Sequence, residues 1–367
     1  MRNQGKTSSY EVHNAESSQT DRNERPTLPE PPHIITLGTA GGPSWQKDAA
    51  GTVRNGTSTA LVTENGWYLI DCGQGTGRAL AESGLSLKDL RGIFITHLHS
   101  DHIADLSSLV LFAPFMRSTS NGSRIPLIGP GSRGKSSLRS ERATKREAIS
   151  LTSINPGGLE HLFKHLVMAF EADIDDRTND TLADHPSRIF DVRDIAHSHV
   201  PGFDPNENVS PPMHPLLIFQ DDDVTVEATL VSHHPMAPAY AFRFTTSDGI
   251  VTISGDTGPC KNLVDLARGS DVLIHEAILL EALPRKFENQ EMHDATLDHH
   301  RRAHTSPSDA GLVALEAEVK TLILHHLVPV AVPEDIWSSE TRKTWNGPLI
   351  IAQDCNHYQI KTPIMSC

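Results

Sequence analysis

Residues 96–102 read Thr96-His97-Leu98-His99-Ser100-Asp101-His102. Three imidazoles and one carboxylate follow directly on the apolar run Gly92-Ile93-Phe94-Ile95-Thr96, whose composition is that of a buried strand. A tight loop at the end of such a strand presents His97 and His99 to one cation, and Asp101 and His102 to a neighbouring one. Imidazole and carboxylate donors suit zinc, manganese or iron rather than a soft, thiolate-only site. The bland alternative is a hydrogen-bonded polar loop, which accounts poorly for three histidines and an aspartate at this spacing. Beyond the cluster, residues 103–112 have helical apolar spacing.

The whole chain frames this cluster. Its 367 residues include 21 histidines and only four cysteines, Cys72, Cys260, Cys355 and Cys367. No two of these form a CxxC pair, which argues against a disulfide scaffold or a cysteine-only zinc site. With 46 Asp+Glu against 32 Lys+Arg the formal charge is −14, so the chain is not a generally basic nucleic-acid coat. Residues 1–32 are polar and end in a proline-rich run, and they are expected to be a disordered tail. No secretory h-region and no run of 18 apolar residues occur, so the expectation is a cytoplasmic protein with no membrane span.

From residue 33 onward the pattern is that of one folded domain, 33–367. Residues 33–37, 57–62 and 67–71 read as strands and 75–83 as a short helix, with a glycine-rich turn at 38–42. Residues 118–147 are Gly/Ser-rich and basic. In them Arg133, Lys135, Arg139, Arg142, Lys145 and Arg146 face only Glu141 and Glu147. Residues 156–215 contain one helix, at 159–172, and are otherwise a long polar stretch expected to be a lid-like insertion over a site. Then 224–231, 239–245, 250–254, 272–275 and 321–324 read as strands, and 264–268 and 307–320 as helices. Strands alternating with helices in both halves indicate an α/β class with layered sheets.

Several of these strands end in chemistry-bearing residues. They are Asp71-Cys72-Gly73-Gln74-Gly75-Thr76, Val231-Ser232-His233-His234-Pro235, Ser254-Gly255-Asp256-Thr257-Gly258, Leu273-Ile274-His275-Glu276-Ala277 and Leu324-His325-His326-Leu327, joined by the loop His304-Thr305-Ser306-Pro307. Taken singly each is weak: a Gly-Asp-Thr is a turn, Glu276 a carboxylate at a strand end, and His304 the neighbour of a helix N-cap. Their order along the chain is what makes them specific.

That order resembles the metallo-β-lactamase superfamily, and among its branches the ribonuclease Z and arylsulfatase-like proteins. The opening cluster is similar to the HxHxDH motif, Gly255-Asp256-Thr257 to the GDT motif, His275-Glu276-Ala277 to the HEAT segment and His304-Thr305-Ser306 to the HST segment. The resemblance implies a four-layered αβ/βα sandwich and two divalent metal ions, zinc first, with manganese or iron as alternatives. It implies His97, His99, Asp101, His102, His233, Asp256 and His326 as the metal ligands, with Asp256 bridging. His234 and His325 remain the alternatives to His233 and His326. It also implies that Glu276 orients His304 as proton donor, with Asp101 counted among the catalytic residues as well as the ligands. Asp71 would support the histidine loop, with Gln74 where the family's DCGEGT turn has Glu. His293, His299 and His300 receive no role and are expected at solvated loop positions.

The implied chemistry is hydrolysis by water activated between two cations. For the substrate, ribonuclease Z offers precursor tRNA, which it grips with a flexible arm that should be basic. Residues 155–210 instead hold 11 Asp+Glu against 4 Lys+Arg, and 50–55 keep only Arg54-Asn55 of the family's Pro-x-Lys-x-Arg-Asn loop. The sequence therefore favours hydrolysis of a small ester, sulfate ester, lactone or phosphodiester. A tRNA-processing endonuclease is the runner-up, and a non-catalytic metal-binding protein the third reading. A homodimer is expected from the relatives.

Overall fold

The computed structural model describes residues 30–116, 124–144, 157–284 and 288–361. Apart from its last three residues, the expected tail lies outside them. The first half of the chain supplies β1 (His33–Gly38), β2 (Ser58–Thr63), β3 (Gly66–Ile70), β4 (Leu90–Phe94), β5 (Ile125–Pro130) and β6 (Phe190–Ile195). The second supplies β7 (Leu216–Gln220), β8 (Thr225–Leu230), β9 (Tyr240–Thr245), β10 (Ile250–Ile253), β11 (Val272–Ile278), β12 (Thr321–Val328), β13 (Leu349–Ile351) and β14 (Asn356–Gln359). They form two seven-stranded sheets, ordered β14-β1-β2-β3-β4-β5-β6 and β13-β12-β11-β10-β9-β8-β7.

The layering follows from the period of two along each strand. In β4, Ile93 joins the apolar layer under the outer helices, while its neighbour Phe94 joins the layer between the sheets. In β11 and β12, Leu273 and Leu322 face the helices of the other half, and Ile274 and Ile323 face inward. Central strands apolar on both faces must be covered on both faces. The result is three apolar layers between four layers of structure, helix–sheet–sheet–helix, which is the four-layered αβ/βα metallo-β-lactamase sandwich expected from the sequence.

Each sheet is mixed. β3 to β6 run parallel, as do β10 to β13, and the remaining pairings are antiparallel. Parallel strands end on the same edge, where α/β proteins place their ligands. Asp71 directly follows β3, the histidine cluster follows β4, Asp256 follows β10, and Glu276 and His326 lie near the ends of β11 and β12.

The segment expected as a lid-like insertion is largely built into the sandwich. The helix Leu159–Ala169 carries Leu159, Leu162, Phe163, Leu166 and Val167 at helical spacing, and this face packs against the first sheet. β6 then pairs with β5 from Ile125↔Phe190 to Pro130↔Ile195. Phe203 packs into the layer between the sheets, whereas Met168 and Phe170 stay exposed. β6 escaped the sequence reading because it is an edge strand, Phe-Asp-Val-Arg-Asp-Ile, whose outer residues are charged. β5 carries two prolines.

A second correction concerns residues 290–303. These form a helix, Gln290–Ala303, rather than the expected solvated loop. Its signals are present in the sequence: Asn289 accepts a hydrogen bond from the Met292 backbone N–H at 3.1 Å, Glu291 lies in the first turn, and Arg301 and Arg302 in the last. Its near absence of buried apolar residues hid it; only Ala303 is buried.

The layer between the sheets centres on Phe94, whose ring lies 5.2 Å from Phe244, 5.6 Å from Phe219 and 6.1 Å from Phe242. Phe94→Ala is expected to lower the unfolding free energy by about 3–5 kcal/mol, read from the urea midpoint at unchanged slope. A loss under about 1 kcal/mol would mean that this layer does not close the sandwich.

Candidate metal centre and active site

The floor of the site is set by Asp71, whose backbone is left-handed at φ 57. Its carboxylate accepts hydrogen bonds from the Thr96 N–H at 2.8 Å, the Thr96 hydroxyl at 2.8 Å and His102 Nδ1 at 2.8 Å. The histidine loop is thereby tied to the end of β3. Because His102 Nδ1 faces Asp71, its Nε2 is the atom turned toward the centre.

Two groups of donor atoms meet there. His97, His99 and His233 form the first, with His99 Nδ1 at 3.0 Å from both His97 Nε2 and His233 Nε2. Asp101, His102, Asp256 and His326 form the second. In it His326 Nε2 lies 3.3 Å from Asp101 Oδ2 and 3.3 Å from Asp256 Oδ2, and His102 Nε2 lies 3.3 Å from Asp256 Oδ1. Asp256 also reaches the first group, at 4.0 Å from His97 Nε2 and 3.9 Å from His233 Nε2. The donor atoms of each group lie within 4.8 Å of one another.

The electrostatics of the two groups differ. Burial holds the His97, His99 and His233 pKa values below that of free imidazole. Those rings are neutral, the form that ligates metals. Burial acts in the same direction on His102 and His326, but Asp256 with Asp71 and Asp101 outweighs it at His102, and Asp256 with Asp101 outweighs it at His326, so both are raised. For Asp256 burial opposes the charge, and His326 and His102 hold the carboxyl well below its usual range. His102 Nε2 and Asp256 Oδ1 are buried facing each other at 3.3 Å, and neither has any other hydrogen-bond partner. Buried atoms so poorly partnered are costly. A divalent cation in each group would give them one, so the donor set fits the metal ions that the fold implies. A cation would also displace protons from His102 and His326.

The structure separates each pair of neighbouring histidines. His233 joins the first group and donates from Nδ1 to the Ala303 carbonyl at 2.8 Å, whereas His234 points to the Asn206 carbonyl at 3.1 Å. At the end of β12 the register jumps: Glu276 pairs with His325, and Ala277 pairs with Leu327. His326 is the extra residue of this bulge, at φ 46. A bulge re-aims a side chain. His326 accordingly meets Asp101 and Asp256, while His325 turns to Thr57, where burial takes its pKa down to about 3.

His304 stands at the end of the helix Gln290–Ala303, with Nδ1 at 3.1 Å from Glu276 Oε1 and 3.8 Å from Asp256 Oδ2. The same Glu276 oxygen accepts from the Thr257 and Thr305 backbone N–H groups, both at 3.2 Å. Burial pulls the His304 pKa down, but Glu276 and then Asp256 and Asp101 push it up to about 9. The ring can therefore carry a proton at neutral pH. All the residues expected in the site thus converge on it: His97, His99, Asp101, His102, His233, Asp256, His326, Glu276 and His304.

Other residues of the site were not singled out in the sequence. The Gly42 N–H donates to Asp101 Oδ2 at 2.9 Å, and a Cβ on Gly41 would sit 2.3 Å from His326 Nδ1. The glycine-rich turn after β1 was the available signal. His299 is half-buried, its ring 6.4 Å from His233 and 6.0 Å from His304, and burial followed by His304 lowers its pKa to about 4. It stands beside His233 and His304 rather than in a solvated loop, because residues 290–303 are helical.

The His304 pairing has a pH signature. Its folded pKa lies above the 6.5 of free imidazole, so its contribution is complete below pH 6.5 and is lost as pH rises through about 9. Metal-free Glu276→Gln is expected to be destabilised most below pH 6.5, with the gap to the parent narrowing by on the order of 1–3 kcal/mol by pH 9.5. Urea midpoints at the two pH values measure this. A gap independent of pH would remove the ion pair from the account.

The metallo-beta-lactamase superfamily model matches residues 51–120, the stretch that carries Asp71 and the histidine cluster. The chain is 26% identical to a ribonuclease Z of Mycolicibacterium paratuberculosis over 312 residues, covering 84% of this chain and 94% of that one. It is 27% identical to a ribonuclease Z of Mycolicibacterium gilvum over 315 residues, covering 84% and 91%. The crystal structure of human tRNase Z, short form, superposes with a TM-score of 0.56 at 20% identity, covering 90% of this chain and all of that one. Together with the sandwich and the convergent donor set, these likenesses give the chain the metallo-β-lactamase fold, indicate a metal-dependent hydrolase, and place ribonucleases Z among its relatives.

Proposed function

We propose that the protein is a dinuclear phosphodiester hydrolase of the ribonuclease Z type, cleaving RNA at the 3′ side of precursor tRNA. His97, His99 and His233 would hold one cation and Asp101, His102 and His326 the other, and the Asp256 carboxylate lies within reach of both groups. Zinc is the first choice for both. When bound, two divalent cations polarise the phosphoryl oxygens and supply a nucleophile at neutral pH. Glu276 fixes the His304 ring through Nδ1, which leaves Nε2 to deliver a proton to the departing oxygen. Asp71 holds the loop rigid through Thr96 and His102.

The observation that carries this reading is the Glu276–His304 pair, 3.1 Å apart and set beside Asp256. A leaving alkoxide needs such a donor. The ribonuclease Z relatives, matched over most of their length, move the substrate from the small ester favoured by the sequence toward RNA. A small phosphodiester is kept as the second reading because of Arg54. This remnant of the Pro-x-Lys-x-Arg-Asn loop is tied to Asp48 at 3.0 Å and Asp354 at 3.6 Å, and it also bonds Gln353. It has little charge left for a phosphate. The acidic balance of 155–210 acts in the same direction.

Elemental analysis of dialysed protein should find close to two zinc, manganese or iron ions per chain, and Asp256→Ala should lose most of both. Incubation with a precursor tRNA should release its 3′ trailer, and His304→Ala should lower that rate by about 10²–10⁴-fold. Bis-p-nitrophenyl phosphate, p-nitrophenyl acetate and p-nitrophenyl sulfate serve as controls. Turnover of a small ester with no cleavage of the tRNA would sink the RNA reading, and full activity of His304→Ala would sink the proton-donor assignment.

A further inference from the structure

Of the basic run after β5, Lys145 and Arg146 lie outside the described residues, and the remaining cations are held in different ways. Lys135 pairs with Asp204, and Arg142 pairs with Asp298 at 2.8 Å. Arg133 alone among these three turns inward and is only 8% exposed. Its guanidinium donates to the Pro235 carbonyl, to the Pro205 carbonyl at 2.7 Å and to Asn206 Oδ1 at 2.6 Å. All three acceptors are uncharged. The nearest carboxylate that acts on it, Asp204, already holds Lys135. Arg133 Nε is buried without a partner.

A buried guanidinium with neutral acceptors and two of its five N–H groups unused is an expensive arrangement, because burial of a charge is repaid only by an opposite charge or a full set of hydrogen bonds. Arginine keeps its proton under such conditions, so the charge persists. Arg133 also lines a cavity of about 330 Å³ together with Leu98, His99, Pro130, Met236 and Pro238. That volume falls at the lower end of the range for small-ligand sites. His99 belongs to both the cavity and the first group of metal-binding atoms, and Met236 follows His233 by three residues. The cavity therefore adjoins the reaction centre at His99, with largely apolar walls and Arg133 as the one Lys or Arg among its lining residues.

We propose that this cavity is an anion subsite, in which Arg133 receives a phosphate group of the substrate that flanks the one being cleaved. The inference rests on the phosphodiester reading and adds to it a requirement: the preferred substrate carries a second phosphate next to the scissile linkage. A planar guanidinium suits a phosphate better than a lysine would, because its donors are fixed in one fork. The apolar walls accommodate the sugar or base attached to that phosphate. A neutral ester gains nothing from Arg133, so the residue separates nucleotide substrates from simple esters by affinity.

The test uses the metal-loaded full-length protein and dithymidine joined by a methylphosphonate, a linkage that is uncharged and not cleaved. Calorimetry compares this compound with its 5′-phosphorylated and 3′-phosphorylated forms. The parent protein is expected to bind one phosphorylated form roughly 10- to 100-fold more tightly than the unphosphorylated compound, the range for a hydrogen bond between charged partners. Arg133→Gln should erase that preference and leave the affinity for the unphosphorylated compound unchanged. Met236→Trp, which fills the cavity but keeps the Arg133 contacts, should also erase the preference between phosphorylated and unphosphorylated forms, and it guards against a folding defect in the first variant. A preference that survives in both variants, or is absent from the parent, overturns the proposal. Cleavage of an ordinary dinucleotide by the parent protein is scored separately, so a failure of the phosphodiester reading shows as no cleavage whatever the binding result.

Discussion

Five imidazoles stand within 4.0 Å of one buried carboxylate, that of Asp256: His102, His326, His304, His233 and His97. Removing a carboxylate from water costs several kcal/mol unless opposite charge surrounds it. Here the charge must come from protonated histidines or from metal ions. The rest of the structure is arranged to deliver those groups to one place. His97 and His102 come from the end of β4, His233 from beyond β8, His326 from the end of β12, and His304 from the end of a helix. Without that convergence Asp256 would be an uncompensated buried charge.

The sandwich makes the convergence feasible. Parallel strands of each sheet end on the same edge, and the two sheets stack so that these edges lie side by side at one end of the sandwich. Small local departures then tune the aim. Asp71, His326 and Gly42 adopt left-handed backbones, and Gly41 lets the first turn approach His326 closely. Each of these conformations is costly for an ordinary residue and persists only where the surroundings hold it. They cluster at the site, where they point side chains inward.

Charge divides the molecule into two regimes. The chain as a whole is acidic, and Arg54, Lys135 and Arg142 are each held by a carboxylate. Arg133 differs because its partners are neutral carbonyls and an amide. A substrate phosphate would meet a surface that repels it in general and a single buried cation that attracts it. Recognition under those terms comes from local geometry and not from a long-range basic field.

Much was legible in the chain itself. The strands at 33–37, 57–62 and 239–245, the layered α/β class and the ordered donor motifs all follow from apolar patterning and from residues grouped at strand ends. Periodicity failed where elements lack an apolar face of their own: the charged edge strand β6, the proline-bearing β5 and the polar helix Gln290–Ala303. By itself the sequence determined which residue types were available for the site and in what order. Only the tertiary structure decided which of His233 and His234, and which of His325 and His326, turns toward Asp256. It alone also turned Arg133 inward. The reason is physical: side-chain direction depends on register, bulges and burial between elements far apart in the chain, and adjacent residues of the same type carry no information about which of them faces the centre.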